Sequence, residues 1–328
     1  MAGDKTPDPL RVMVRDALRR VATPNELAAR VGHSLPAPVR KLMLGRALDG
    51  LHLALCLHRV LPAPRPTDWQ PGLSIPSDVL CAFLDELLGA RTGPARGWLT
   101  VTFDDGYADA GAWLREHAPR FPDVEFLFFV CPQKSELRTG FRWDLVEERL
   151  KAGVARETAL EEAAQVPPDG HAENARDDLK ALPSLPTYAL SSLEELRALH
   201  TLPNVKLGNH TNLHLSGEKF PDAVVEADYQ QSRADFERLF GPMTQFAFPY
   251  GTPKHHFSAR HVGWLRAQGD FPIWTTEARP FRAAERQRTS PVLPRFPIDG
   301  TLDAASLAGF IAARSIDFRV RGTPHRYE

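Results

Sequence analysis

The amino-acid sequence predicts an α/β protein built from parallel strand–helix units. Short apolar segments alternate along the chain with longer segments of helical periodicity, a pattern typical of a parallel sheet covered by helices. Two of the apolar segments, Leu99–Phe103 and residues 124–130, read as buried strands. Residues 79–88 carry apolar side chains every three or four positions, as expected for a helix that buries one face.

The remaining elements follow from the same patterns, taken in chain order. Capping boxes that begin at Thr23 and Ser192 mark two helix starts, and Gly241 marks a helix end. The predicted strands lie at 51–60, 99–103, 124–130, from 205, at 244–248, at 273–276 and at 291–298. Besides helices expected within 10–50, the predicted helices lie at 79–88, 108–117, 145–164, from 192, at 222–240, at 261–268 and at 302–315.

Composition and charge exclude several classes of protein. The chain has 328 residues and a formal net charge of −1, which does not indicate a polyanionic partner such as nucleic acid. Cys56, Cys81 and Cys131 lie in apolar segments without metal-site spacing, as expected for reduced core residues. We find no export signal and no segment of about 18 apolar residues. The expected location is therefore cytoplasmic, without a transmembrane segment.

Two adjacent carboxylates follow the strand Leu99–Phe103. Asp104 and Asp105 stand at its carboxyl end, where ligand sites of α/β sheets collect, and Gly106 permits a turn of positive φ. Burying both carboxylates requires a compensating cation, which favours a metal site. The alternative is that Asp-Asp-Gly forms a surface turn.

A pair of histidines, His210 and His214, follows the strand that begins at 205. On a helical turn this spacing places both imidazoles on one face, as in zinc hydrolases. A chance pair is the alternative in a chain with 12 histidines. With one carboxylate, the two rings form a three-ligand set that leaves positions open for water and substrate, as catalytic metal sites do.

These motifs resemble those of a known family. Residues 102–106 (Thr-Phe-Asp-Asp-Gly) and 210–214 (His-Thr-Asn-Leu-His) are similar to the first two motifs of the polysaccharide deacetylases, also called the NodB-homology or carbohydrate esterase 4 family. Residues 246–251 (Phe-Ala-Phe-Pro-Tyr-Gly) resemble the third motif. The similarity covers residues from about 50 to 315.

The resemblance implies a distorted (β/α) barrel of about seven strands. On this basis we expect an N-terminal helical extension at 1–50, with a polar start, and a catalytic barrel at 51–318. Residues 165–190 are rich in proline and charge and are expected to form a surface insertion, and 319–328 a polar tail. In the extension, the basic segment 39–51 is expected to pack on the barrel, with contact to a membrane surface as the alternative. A helix-turn-helix within 10–50 fits less well, because the region is not strongly basic.

The resemblance also implies roles for individual residues. Asp105, His210 and His214 are expected to bind a divalent metal, by default Zn, with Co, Ni or Fe suiting the same ligands. Asp104 would be the general base, and the metal and a backbone N–H near Tyr250 would stabilise the oxyanion. His58 follows the first strand of the barrel, where it would face the site or bond to a neighbouring loop.

Two departures from the family pattern affect the expected chemistry. Ala247 stands where many members carry an arginine that holds the catalytic Asp, and Arg295 is the residue expected to supply that cation. A surface salt bridge is the alternative role for Arg295. The late histidine that serves as the general acid is missing as well. His58 and the protonated Asp104 are the two candidates to replace it.

The sequence therefore favours a metal-dependent hydrolase. The expected reaction removes an N-acyl group, by preference N-acetyl, from an amino sugar of a polysaccharide or of its nucleotide- or lipid-linked intracellular precursor. One alternative is a catalytically inactive carbohydrate-binding or scaffold member of a glycan assembly system, which the two departures support. Another is hydrolysis of a non-sugar amide on the same fold.

Overall fold

The computed structural model describes residue 30 and residues 32–62, 71–91, 97–164 and 187–322. Several sequence predictions lie outside these ranges. They are the polar start of the chain, the capping box at Thr23, most of the insertion expected at 165–190 and the end of the tail expected at 319–328. Among the described residues, the structure contains no helix that is both long enough and apolar enough to cross a membrane.

The predicted α/β barrel is confirmed. Eight strands follow one another in the order β10–β8–β7–β6–β5–β4–β1–β11, and every neighbouring pair in this path is parallel. A short strand β9 pairs antiparallel with β1, and β2 and β3 form a separate parallel pair. The strands are β1 Leu51–Leu57, β2 Arg59–Leu61, β3 Ser74–Pro76, β4 Leu99–Phe103, β5 Glu125–Val130, β6 Val205–Asn209, β7 Phe246–Ala247, β8 Ile273–Trp274, β9 Phe281–Arg282, β10 Val292–Leu293 and β11 Phe296–Pro297.

A single extended segment connects the two edges of this sheet. Val292 on β10 is in register with Ile273 on β8, whereas Phe296 on β11 is in register with Leu55 on β1. Only Pro294 and Arg295 separate the two strands in the chain. The barrel is therefore nearly closed, and it has seven strand positions when β10 and β11 are counted as one interrupted strand.

Helices cover the outside of the barrel. The predicted helix at 145–164 is two helices, and the last helix continues to Arg321, past the start of the expected tail. The helices are α1 Ala37–Leu48, α2 Ser77–Ala90, α3 Ala108–His117, α4 Pro132–Leu137, α5 Arg142–Lys151, α6 Arg156–Ala164, α7 Leu193–His200, α8 Asp222–Phe240, α9 Ala259–Gln268, α10 Ala283–Arg286 and α11 Ala304–Arg321.

Local sequence signals explain several of these helices. Helix α7 begins at the predicted capping box, in which Ser192 Oγ accepts from the Glu195 N–H and the Glu195 carboxylate accepts from the Ser192 N–H. Helix α1 buries Leu44, Ala47 and Leu48 and packs on α11 and α2, as expected for the segment 39–51. Burial of this apolar face gives the helix most of its stability, because its ends carry no side-chain cap.

Alternation along the strands separates two apolar clusters. Leu99, Val101 and Phe103 of β4 point outward into the main core between the sheet and the helices. A second, smaller cluster collects the strand residues of opposite parity, including Leu127 and Phe129 of β5, and fills the inside of the barrel. The polar residues described next lie beside this inner cluster, at the carboxyl ends of the strands.

Candidate metal centre and active site

Asp104 and Asp105 leave the carboxyl end of β4 through a tight turn. Asp105 has a φ of 74° and Gly106 a φ of 82°. A Cβ atom on Gly106 would lie 3.3 Å from Val130 Cγ1. Glycine therefore suits this position because of its positive φ and because of the close approach of Val130. Both carboxylates are only 3% exposed. The surface-turn alternative for Asp-Asp-Gly therefore does not hold.

The two histidines do not lie on a helical turn, and this part of the sequence prediction is wrong. Residues 210–216 form an irregular loop after β6, in which Thr211 has a φ of 64° and His214 a φ of 55°. Tertiary hydrogen bonds hold the loop: Asp228 Oδ1 accepts from the N–H groups of Asn212 and Leu213. These bonds supply the energy that keeps non-glycine residues in a left-handed conformation.

The loop nevertheless brings both rings to Asp105. Asp105 Oδ1 lies 3.2 Å from His214 Nε2 and 3.5 Å from His210 Nε2. A tetrahedral metal with bonds of about 2.0–2.1 Å needs ligand atoms roughly 3.3 Å apart. The three residues form a buried group whose ligand atoms all lie within 4.8 Å of one another. Their spacing therefore fits one divalent metal ion.

Hydrogen bonding and protonation at these residues also fit a metal. His210 Nδ1 lies 2.9 Å from the Ala247 carbonyl oxygen, which leaves Nε2 free as the ligand atom. Burial lowers the pKa of His210 to about 4, so the ring is neutral at pH 7, as a ligand must be. Asp105 Oδ1 is buried without a hydrogen-bond partner, which is costly unless another group binds it.

Arg295 holds the carboxylate of Asp104. Its guanidinium donates from Nη1 to Oδ1 (2.6 Å) and from Nη2 to Oδ2 (2.9 Å), and also to Thr102 Oγ1 and the Thr275 carbonyl oxygen. Arg295 is completely buried, so it does not form a surface salt bridge. Burial alone would raise the pKa of Asp104, but the guanidinium outweighs it and holds that pKa well below its usual range.

The other predicted site residues line the same cavity, which has a volume of about 700 Å³. His58 contributes a ring nitrogen within 4.8 Å of ligand atoms of Cys56 and Asp104. The ring of Tyr250 lies 4.8 Å from that of His214, and its backbone has a φ of 59°. Every residue singled out from the sequence for catalysis or metal binding thus lies at this centre or in the wall of its cavity.

Sequence reasoning did not identify His256, which also lines the cavity. The Thr252 N–H donates to His256 Nδ1 (3.1 Å), so the neutral ring carries its proton on Nε2. The ring lies 5.2 Å from that of Tyr250. The only signal in the sequence is the position of His256 five residues after the third motif, in a loop with no characteristic spacing.

Comparisons with known proteins agree with the fold. The sequence matches no protein-family model, and it matches no curated protein. A proposed polysaccharide deacetylase from Bacillus anthracis superposes with a TM-score of 0.51 at 13% identity, over 80% of this chain and 69% of that chain. A de-N-acetylase from Aggregatibacter actinomycetemcomitans has a TM-score of 0.51 at 13% identity, over 79% of this chain and 99% of that chain. The chain has the fold of these deacetylases.

Proposed function

We propose that the protein is a metal-dependent amidohydrolase that removes an N-acyl group from an amino sugar of a polysaccharide or of its precursor. One observation carries this proposal: a buried three-ligand group, Asp105, His210 and His214, stands beside a second carboxylate that takes no part in it. A metal-storage or purely sugar-binding site has no use for Asp104 held ionised at that place. The two structural neighbours, described as a proposed polysaccharide deacetylase and a de-N-acetylase, support the substrate class.

The ligand set suits Zn by default, and also Co, Ni or Fe. A divalent ion held by these residues would act as a Lewis acid and lower the pKa of a water molecule at the centre. Asp104 is the general base of the proposal. Its Oδ2 atom faces the ligand group, 3.8 Å from His210 Nε2, and so takes the proton from the attacking water.

Arg295 is the positioning residue for this base. The bidentate pair fixes the plane of the Asp104 carboxylate and keeps it ionised despite its burial. In this role Arg295 replaces the arginine that many family members carry at the position of Ala247. The Ala247 carbonyl oxygen instead accepts from His210.

The leaving amine requires a proton, and two imidazoles of the cavity are in a position to give one. We propose His58 as the donor, because a ring nitrogen lies within 4.8 Å of the Asp104 carboxylate and can receive the proton that Asp104 takes up. The alternative donor is His256, which lies in the loop after the third motif. The backbone at Tyr250 is the proposed source of the N–H that stabilises the oxyanion.

We also propose that the protein works in a reducing compartment, such as the cytoplasm. All three cysteines are buried and free, and none forms a disulfide.

The proposal is tested by assaying protein loaded with Zn against N-acetylated amino sugars that are free, nucleotide-linked or lipid-linked. Release of acetate that is lost on chelation and lost in Asp104→Asn supports the hydrolase. Tight binding of a glycan by both the wild type and Asp104→Asn, with no turnover, contradicts it and supports a binding role instead.

A further inference from the structure

One side of the active-site cavity is built from the helix pair α5 and α6. Trp143 begins this wall, with its ring 4.8 Å from that of His214. Val146 follows one turn later on α5, and Leu160 and Ala163 line the cavity from α6. Because residues three apart share a helix face, Trp143 and Val146 lie together on α5, and Leu160 and Ala163 lie together on α6. Val146 and Ala163 pack in one apolar cluster, so the four side chains form an apolar strip in the wall of the cavity.

The strip offers almost nothing to a sugar hydroxyl. The Trp143 indole N–H already donates to Tyr107 Oη (2.8 Å), so Trp143 presents only its ring to the cavity. Among the described residues that line this side, Arg142 is the one with a charged side chain. A hydroxyl placed along the strip would lose its water without gaining a partner, which is unfavourable.

At Leu160 the strip is left partly uncovered by the side chains of the described residues. Leu160 is 38% exposed, although the neighbouring Val146 and Ala163 are buried against Ala159. A leucine at the mouth of a cavity gains stability when an apolar ligand covers it.

We propose that this strip binds a hydrocarbon chain of the substrate, so that the natural substrate is an amphiphile rather than a short N-acetylated sugar. This inference rests on the proposed function for the position of the amide at the metal centre. The chain has two possible sources with the same chemistry: a long N-acyl group, or a lipid joined to the sugar. The polar sugar then occupies the opposite side of the cavity, near Thr252 and Thr276.

The size of the effect follows from the area that a chain would bury. Each methylene transferred from water contributes about 0.8 kcal/mol, or a factor of about 4 in affinity. Because Leu160 leaves the strip open on one side, we assign half of this free energy to each methylene. N-hexanoyl has four more methylenes than N-acetyl. An N-hexanoyl group should therefore bind at least tenfold more tightly than N-acetyl if the acyl chain is the occupant.

The experiment measures binding by calorimetry in Zn-loaded Asp104→Asn, which does not depend on turnover. One arm compares N-acetyl-, N-butyryl- and N-hexanoylglucosamine. The other arm compares the methyl and octyl glycosides of N-acetylglucosamine. Both arms are repeated with Leu160→Gln, with the conservative Leu160→Met, and with Leu42→Gln, which alters an exposed leucine of α1 that does not line the cavity.

We expect affinity to rise with chain length in one arm, which identifies the source of the chain. Leu160→Gln should reduce this gain about tenfold, whereas Leu160→Met and Leu42→Gln should retain it. Affinity independent of chain length in both arms overturns the inference, as does an equal gain in Leu160→Gln. If wild-type enzyme hydrolyses the N-acetyl sugars without any such dependence, the inference fails while the proposed function stands. If chain-dependent binding occurs without hydrolysis of any compound, the inference stands and the proposed function fails.

Discussion

Replacing Arg295 with alanine should separate the chemistry of Asp104 from that of the metal. The substitution leaves a carboxylate that is 3% exposed without its bidentate partner. The substitution removes the main influence that lowers the pKa of Asp104, so that pKa rises and less of the base is ionised. We expect kcat to fall by a factor of 10 or more, with the Zn content unchanged, because no metal ligand is altered.

The same variant should be less stable. Removing one partner of a buried ion pair costs about 3–5 kcal/mol. At about 2–4 °C per kcal/mol for a domain of this size, Tm should fall by about 6–20 °C. Arg295→Lys keeps the charge but loses the two parallel hydrogen bonds, and should lie between the wild type and Arg295→Ala in both activity and Tm.

A double-mutant cycle with Asp104→Asn distinguishes this explanation from general disruption. Neither substituted position of the double variant carries a charge, so this variant should recover part of the stability lost in Arg295→Ala while remaining inactive. Activity is measured as acetate release, stability by thermal unfolding, and metal content by elemental analysis. A folded Arg295→Ala protein with unaltered kcat would remove Arg295 from the mechanism. Additive losses of stability in the double variant would show that the two side chains are not coupled.

Three further outcomes are expected. Zn at 100 times its Kd should stabilise the protein by about 2.7 kcal/mol, and His214→Ala should abolish that shift in thermal unfolding. His58→Gln should lower kcat on an alkyl amide by a factor of at least 100. It should lower kcat on an activated anilide much less, because a good leaving group needs no proton. The same pattern in His256→Gln instead would identify His256 as the proton donor. Burial raises the pKa of Asp144 to about 7, so the folded protein holds a proton that the unfolded chain loses near pH 4, and stability should fall as pH rises from 4 to 7. Asp144→Asn should flatten that fall, measured as Tm at pH 5 and pH 7.5.

Local sequence patterns predict the parts of this fold that depend on local physics. The strand Leu99–Phe103 and the helix start at Ser192 follow from side-chain periodicity and capping, which act over a few residues. The spacing of His210 and His214 correctly places two imidazoles next to Asp105, although for the wrong reason. A helical turn would explain the spacing, but the actual loop depends on hydrogen bonds to Asp228, 14 residues beyond His214 in the chain.

Other features depend on contacts between distant segments and could not be predicted. His256 enters the cavity because Thr252 and the turn after it direct the ring back toward Tyr250, and no short-range pattern encodes that direction. Likewise, the closure of the barrel depends on one segment being in register with two different strands. Register is a tertiary property, and each of the two pairings involves only two residues of that segment.

The position of Arg295 shows why closure of the barrel and the state of Asp104 are linked. Val292–Leu293 pairs with one edge of the sheet and Phe296–Pro297 with the other, so Arg295 lies at the junction between the two edges. From there its side chain crosses the inside of the barrel over the ring of Phe129 to reach Asp104.

An arginine on β7, where the family motif would place it, could act without this junction, but here the cation reaches Asp104 only when both edges are joined. The ion pair therefore stabilises the closed barrel, and the closed barrel in turn keeps the base ionised. A change that weakens either pairing of the closing segment should consequently reduce activity before it affects the metal ligands, which lie on other strands and loops.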